Sequence, residues 1–378
     1  MSSRAARVLV TVFPAASHLY PLVPTAWALR AAGHEVRLAV PPSFAPVALR
    51  TGLPVMRVGR DADLGAAWRG FSPGAGAAER TARTMAMFEG AAEAVAGDTA
   101  ALAGRWADLV LFDPRGYAGP LAAALAGRPA VRFLYGVDHT HERRAQEWPL
   151  LEPLWRRWGA GAPGPGGDLT VDPCPAALRS GAPAGSLPVR HVPFNGAARV
   201  TAAPRTGAPR VCVTWGVSSG AAAGHLEPLR RTLAALAPLG CETVVLVARE
   251  QRALLGEVPH GVRVLESVPL HTVLPGCALV VHQGGAGTTL TAAACGVPQL
   301  VAAQKGDQIA HAERVAAAGL GRRVPASASA GALRAAVADV LADGGVRLRA
   351  AGTARENARR PAPARAAEAL AALARHGR

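Results

Sequence analysis

The chain is expected to fold as two similar α/β domains, each built on a parallel sheet. Three observations lead there. Short apolar runs alternate with helical segments in strand–helix–strand order, which implies parallel pairing. The same plan recurs about 200 residues later, with Gly33 and Glu35 answered by Gly240 and Glu242. The 378 residues, half of them apolar, exceed one ordinary core and argue against disorder.

The first half opens on Val8–Phe13, a buried-strand pattern. The loop Pro14–His18 leads to a helix around Tyr20–Ala31, and Gly33-His34-Glu35 turns into a strand, Val36–Val40. The apolar run Leu109–Phe112 reads as a further strand, ended by Asp113-Pro114. In the second half, Val211–Trp215 is a strand, Gly216–Gly224 a glycine- and serine-rich loop, and Leu226–Leu236 a helix. Gly240-Cys241-Glu242 then enters the strand Thr243–Val247. Ala278–Val281 is a buried strand, and a helix is expected to start at Leu290–Cys295. Thr201–Pro209 reads as a linker and Gly159–Gly167 as a flexible loop. Pro361 and Pro363 break the chain before a terminal helix, Ala364–Arg375.

Composition narrows the function. The net charge of +15 comes from scattered arginines, with aromatics only 4% and no dense basic block, so a nucleic-acid surface is not expected. An odd number of cysteines (Cys174, Cys212, Cys241, Cys277, Cys295) without a CxxC argues against a disulfide framework or a zinc ribbon. Val8–Phe13 is too short for a signal-peptide core, and no apolar stretch reaches membrane-spanning length. A soluble cytoplasmic protein is expected.

The most informative stretch is His282-Gln283-Gly284-Gly285-Ala286-Gly287-Thr288-Thr289, followed at Gly306-Asp307-Gln308. A glycine-rich turn between a strand and a helix lets backbone N–H groups approach an anion, and the helix dipole adds positive charge. Leu290 stands where a dinucleotide fingerprint needs its third glycine, and no Gly-Lys-Ser/Thr follows, so neither a nicotinamide site nor a P-loop is indicated. A phosphate-bearing small molecule fits, with His282 as a candidate donor to a phosphate oxygen.

In the first half, His18 lies at the mouth of a loop after the first strand, where open α/β sheets place ligands. It is the candidate general base, against the plainer reading of a surface histidine. Asp113, also at a strand's carboxyl end, is the candidate partner for its second ring nitrogen, against a plain capping role. Asp61-Ala62-Asp63 has the spacing of a chelating pair but reads as a solvated loop, and His139-Thr140-His141 has no further ligands near it, so no metal site is assigned. Gly216-Val217-Ser218-Ser219-Gly220 fits a nucleophile elbow, which would make Ser218 a hydrolase nucleophile. That order needs Asp307 and His311 on separate loops, yet they lie four residues apart.

At this point a family resemblance appears. His282–Gln308, with Val268-Pro269-Leu270 before it, resembles the donor-site signature of actinobacterial natural-product glycosyltransferases of the antibiotic, macrolide and polyketide type. These have the GT-B fold, within the UDP-glycosyltransferase-like superfamily. Ser17-His18-Leu19-Tyr20-Pro21-Leu22 is similar to their acceptor-side histidine motif, and Asp113-Pro114 with Tyr117–Pro120 to the segment carrying its partner. Pro193-Phe194-Asn195-Gly196 is similar to their Pro-Tyr-Asn-Gly before the linker.

The resemblance implies two Rossmann-like domains facing each other across a cleft. Residues 1–200 would bind the acceptor and 210–358 the donor, with 359–378 a helix that could pack back on the N-terminal domain. His18 would deprotonate the acceptor hydroxyl, oriented by Asp113. His282 and the backbone of Gly285, Ala286, Gly287 and Thr288 would hold the diphosphate, with Ser218 or Ser219 nearby. Asp307 and Gln308 would contact sugar hydroxyls, and Val268 the base through its backbone. The implied reaction is inverting, needs no metal or other cofactor, and moves a deoxysugar from a dTDP-sugar, or a UDP-sugar, to a hydrophobic aglycone. A homodimer and a separate activating protein are both open. Gln283 and His311 depart from the second histidine and the asparagine of many relatives, which bears on the sugar used. A sugar-nucleotide epimerase of the same fold, a non-catalytic binding protein and the Ser218 hydrolase are the competing readings.

Overall fold

The structure is a computed structural model that describes residues 4–376 apart from 71–73, 75, 162–165, 180–184, 198–206, 217–225 and 305. It divides into two compact units: Met1–Pro173, Gly181–Val189 and Pro361–Arg378 form unit 1, and Cys174–Ser180 with Arg190–Arg360 form unit 2.

Unit 1 is built on a seven-stranded sheet in the order β3-β2-β1-β4-β5-β6-β7. The strands are β1 (Arg7–Thr11), β2 (Glu35–Val40), β3 (Val55–Arg57), β4 (Leu109–Phe112), β5 (Ala130–Phe133), β6 (Leu169–Asp172) and β7 (Leu187–Pro188). All neighbours pair in parallel. A parallel sheet is covered on both faces, which is why β1 and β4 read as unbroken apolar runs. Its helices include α1 (Ala16–Leu19), α2 (Val23–Ala31), α3 (Ala77–Arg105), α4 (Ala118–Ala126) and α5 (Arg144–Arg157). The first helix was expected at Tyr20. Instead α1 begins four residues earlier, and a single turn at Tyr20–Leu22 joins it to α2. Pro21 and Pro24 stand at the first positions of their helical segments, where a missing N–H costs nothing.

Unit 2 repeats the plan in a six-stranded parallel sheet, β10-β9-β8-β11-β12-β13. Its strands are β8 (Arg210–Thr214), β9 (Glu242–Val247), β10 (Arg263–Glu266), β11 (Leu279–His282), β12 (Gln299–Ala303) and β13 (Gly321–Pro325). Its helices include α6 (Glu227–Leu236), α7 (Leu270–Val273), α8 (Ala286–Cys295), α9 (Gly306–Ala317), α10 (Ala330–Ala342) and α11 (Gly344–Arg359). Val211, Val213, Val281 and Leu300 enter the core on one face of this sheet, and Cys212, Val244 and Val280 on the other. The internal repeat has a structural counterpart: Arg7 faces Glu35 at the start of the β1–β2 pairing, and Arg210 faces Glu242 at the start of β8–β9.

The unit limits differ from those expected from composition. The chain visits unit 2 at Cys174–Ser180 and enters it again after Val189, about ten residues before the presumed linker, where polar bonds anchor the following residues. The His191 N–H donates to Asn357 Oδ1 (2.9 Å), and Asn357 Nδ2 donates back to the His191 carbonyl (3.0 Å). At the other end, the terminal helix α12 (Pro363–His376) belongs to unit 1 and packs on α2. Its stripe Ala366, Ala367, Leu370, Ala371 and Ala374 is buried, the spacing of one helix face.

Candidate active site

Both sheets reverse their strand order once, between β1 and β4 in unit 1 and between β8 and β11 in unit 2. Ligands of open parallel sheets bind outside the carboxyl ends of the strands at this reversal. His18 follows β1 and Asp113 follows β4, so the unit 1 reversal brings them together. His18 Nδ1 lies 2.6 Å from Asp113 Oδ1. A carboxylate only accepts, so Nδ1 carries a proton, and in the neutral ring Nε2 keeps its lone pair. Asp113 is fully buried, and its oxygens also accept the N–H groups of Phe13 (2.7 Å) and Arg115 (2.9 Å). Buried charge is tolerated when bonded in this way. The Phe13 ring, 5.2 Å away, and the Tyr135 ring, 4.4 Å away, flank the imidazole.

In unit 2, Gly216 follows β8 and the glycine turn follows β11. The turn is tighter than expected: α8 starts at Ala286, not Leu290, with Gly285 as its N-cap. The Gly287 and Thr288 N–H groups therefore sit in a first helical turn. Gly285 offers it no side-chain cap, and no acidic residue lies in that turn. Thr289 and Thr291 turn their hydroxyls back onto the carbonyls of Gly285 and Gly287. The result is a helix N-terminus whose dipole meets no acidic side chain in its own first turn. Gly284 makes the turn possible. Its φ is +94°, and a Cβ would stand 2.8 Å from the Gln308 carbonyl oxygen. The turn is thus seated against the start of α9, where Asp307 is exposed and Gln308 is buried. Gln308 Oε1 accepts the Gln304 N–H at 3.1 Å.

His282 is not placed as expected. Its side chain is fully buried. Nδ1 accepts the Gly284 N–H (3.1 Å), so Nε2 carries the proton and donates to Gln299 Oε1 (3.0 Å). Gln299 in turn donates to the Thr289 carbonyl (3.4 Å). Burial pushes the His282 pKa down to about 4, against the Gln299 bond and aided by His311. A neutral ring with both nitrogens engaged inside the fold has no N–H to offer a phosphate. It braces the turn instead. His311, one helical turn after Asp307, is also buried, with its pKa lowered by that burial and its ring near the Gly284 backbone.

The residue that sequence reasoning missed is Gln283. It is 6% exposed, and its Oε1 has no partner among the described residues. Its Nε2 lies over Gly216 and Gly285, where Cβ atoms would stand 2.4 and 2.9 Å from it. Its carboxamide therefore fills the space between the β8 and β11 loops, beside the N-terminus of α8. The signal was its place directly before the glycines. Ser218 and Ser219 lie outside the described residues.

Val268 is half-buried just before α7. The residue before it, Ser267, has φ 51°, the one non-glycine positive φ among the described residues. A strained backbone of this kind costs about 1–3 kcal/mol and persists only where its surroundings hold it. The Ser267 N–H donates to the Val247 carbonyl (2.9 Å), and its hydroxyl accepts the Arg249 N–H (3.1 Å). Asn195 joins α7 to α8: its Oδ1 accepts the His271 N–H (3.0 Å), and its Nδ2 donates to the Thr291 hydroxyl (3.2 Å).

Other sequence candidates stay apart from these clusters. Asp61 and Asp63 are exposed, and they accept the N–H groups of Ser43 (2.9 Å) and Gly65 (3.0 Å). His139 is buried near Tyr135, while His141 is half-buried. Among the described residues, no group of three or more His, Cys, Asp or Glu is arranged to hold a metal ion. No helix there is long and apolar enough to cross a membrane, and all five cysteines are free. Asp307 and His311 share α9, so the loop placement that a Ser218 hydrolase requires does not occur.

Two family profiles match the chain. "Erythromycin biosynthesis protein CIII-like, N-terminal domain" covers residues 27–216, and the corresponding C-terminal domain covers 230–373. The chain is 37% identical to L-demethylnoviosyl transferase of Streptomyces niveus, over 97% of this chain and 98% of that protein. It is 35% identical to tylactone mycaminosyltransferase of Streptomyces fradiae, over 98% of this chain and 94% of that one. Among solved structures it resembles spinosyn rhamnosyltransferase SpnG, with a TM-score of 0.84 and 36% identity over 96% of this chain and 99% of the other. That enzyme has also been solved with thymidine diphosphate and with spinosyn aglycone.

Proposed function

Because the chain belongs to the erythromycin biosynthesis protein CIII-like family, we propose that it moves a deoxysugar from a dTDP-sugar to a hydroxyl group of a hydrophobic natural-product aglycone. It is a glycosyltransferase of the GT-B type. The observation that carries the proposal is the 2.6 Å His18–Asp113 bond at the strand reversal of unit 1, matched by an uncapped helix N-terminus at the reversal of unit 2.

The acceptor O–H gives its proton to His18 Nε2 as its oxygen attacks the anomeric carbon. The bond from that carbon to the diphosphate breaks on the opposite side, so the configuration inverts. Asp113 holds the tautomer and stabilises the imidazolium that forms, worth about 10²–10⁴-fold for general-base help. The departing diphosphate takes the electron pair. The Gly287 and Thr288 N–H groups, the α8 dipole and the Gln283 amide meet its charge. We assign its departure to these donors rather than to a metal ion. Val268 meets the base through its backbone, and Asp307 and Gln308 read the sugar hydroxyls. We place the reaction in the cytoplasm.

His18→Ala is expected to lower kcat about 10²–10⁴-fold while thymidine diphosphate binds with unchanged affinity. Turnover at the wild-type rate on an O-linked acceptor would overturn the role of His18. Turnover abolished by a chelator and restored by a divalent cation would overturn the assignment of the leaving group.

A further inference from the structure

Beneath the His18–Asp113 couple lies a buried ion pair that the proposed reaction does not use. Arg115, in the turn after β4, donates from both terminal nitrogens to Glu147 on α5, at 2.6 and 3.1 Å. The two side chains are 5% and 6% exposed. Desolvating two charges offsets most of their attraction, so a pair of this kind adds little net stability. Its consequence lies in what it aligns.

Three routes lead from Arg115 to the imidazole. Its backbone N–H donates to Asp113 Oδ1, the oxygen that also receives His18 Nδ1. The Arg115 guanidinium lies 4.9 Å over the Phe88 ring, Phe88 meets Phe13 edge-on at 4.9 Å, and Phe13 flanks His18 at 5.2 Å. Arg115 also donates to the Tyr117 hydroxyl (2.9 Å), and the Tyr117 ring meets Phe88 edge-on at 6.1 Å. Burial alone would lower the Arg115 pKa, but its partners Tyr117, Glu147 and Tyr135 raise it. The guanidinium is a permanent charge.

We propose that Arg115 and Glu147 are positioning residues for the His18–Asp113 couple, fixing the aim of the imidazole and tying it to the placement of α5. The inference rests on His18 being the general base. The groups facing His18 are Asp113 by hydrogen bond and Tyr135 by ring contact. Behind them stand Arg115, Glu147 and Tyr117, then Arg143, which also pairs with Glu147 (3.2 Å), and His139 against Tyr135.

Glu147→Gln removes one charge and leaves Arg115 uncompensated. A nearby cation disfavours the imidazolium, so the acidic limb of the kcat–pH profile should move down by about one unit or less. kcat should fall about ten-fold, with thymidine diphosphate affinity unchanged. A paired Arg115→Met/Glu147→Met variant keeps the bulk and removes both charges, so it should fold even where the single variant does not. Its limb should return towards wild type while kcat stays about ten-fold low, because the aim is lost rather than the field. A wild-type kcat in the paired variant, or an unmoved limb in a folded Glu147→Gln, would overturn the inference. His18→Ala assayed alongside separates the two failures: full turnover there sinks the base, not the positioning.

Discussion

At the residue scale, the donor turn depends on two neighbours with different tasks. His282 is the last residue of β11 and points inward to Gln299, while Gln283 begins the turn and reaches over Gly216. His282→Ala should therefore lower stability by roughly 2–3 kcal/mol, since Gly284 and Gln299 lose their buried partner. Gln283→Leu should leave the melting temperature in place and weaken thymidine diphosphate binding about ten-fold, the loss of one well-placed donor. Calorimetric titration beside thermal unfolding separates them, and the reverse pattern would overturn the assignment. The sequence made His282 and Gln283 visible as a pair but not which one points to Gln299 and which to the glycine turn. Side chains alternate along a strand, so the answer depends on where β11 ends, and end positions are the least legible feature of a pattern. Asp113 was legible because it closes an apolar run and His18 because it sits in the loop after one, and the strand order did the rest.

At the element scale, α8 begins where the sequence suggested a loop. Gly285-Ala286-Gly287-Thr288-Thr289 has poor helix propensity, and no cap announces the start. Tertiary bonds hold it in place of propensity: Thr289 is tied to Gln299, and Thr291 to Asn195. Asn195 was recognised only as part of a resemblance, because bonds to partners 76 and 96 residues away leave no local pattern. Asn195→Ala removes the link between α7, on the proposed base side, and α8, on the phosphate side. It should weaken thymidine diphosphate binding about five- to ten-fold and speed amide exchange in both helices together. Faster exchange in one helix alone would show that they are not coupled through Asn195.

At the scale of the molecule, the buried histidines are unevenly shared. His191, His282 and His311 all lie in unit 2, and burial lowers each pKa, to about 4 for His191 and His282. The unfolded chain takes up these protons below about pH 6.5, whereas the folded unit refuses them until about pH 4. Their stabilisation is therefore complete above the ordinary histidine range and is lost as the pH falls through that window. The loss is on the order of 3 kcal/mol for each of His191 and His282. Hydrogen exchange between pH 7 and 4.5 should show unit 2 peptides opening before those of unit 1; simultaneous opening would contradict this. The doubled architecture was legible because parallel strands carry their own apolar signature. The unit limits were not, since polar anchors such as Asn357 on His191 fix them, and composition does not record those. Unit 1 is also closed by α12, whose residues follow the whole of unit 2 in the chain. On the ribosome, the face of α2 that α12 covers stays bare until all of unit 2 has been made. The two units are thus completed in the reverse of the order in which they are begun, and the half that waits is the one holding His18.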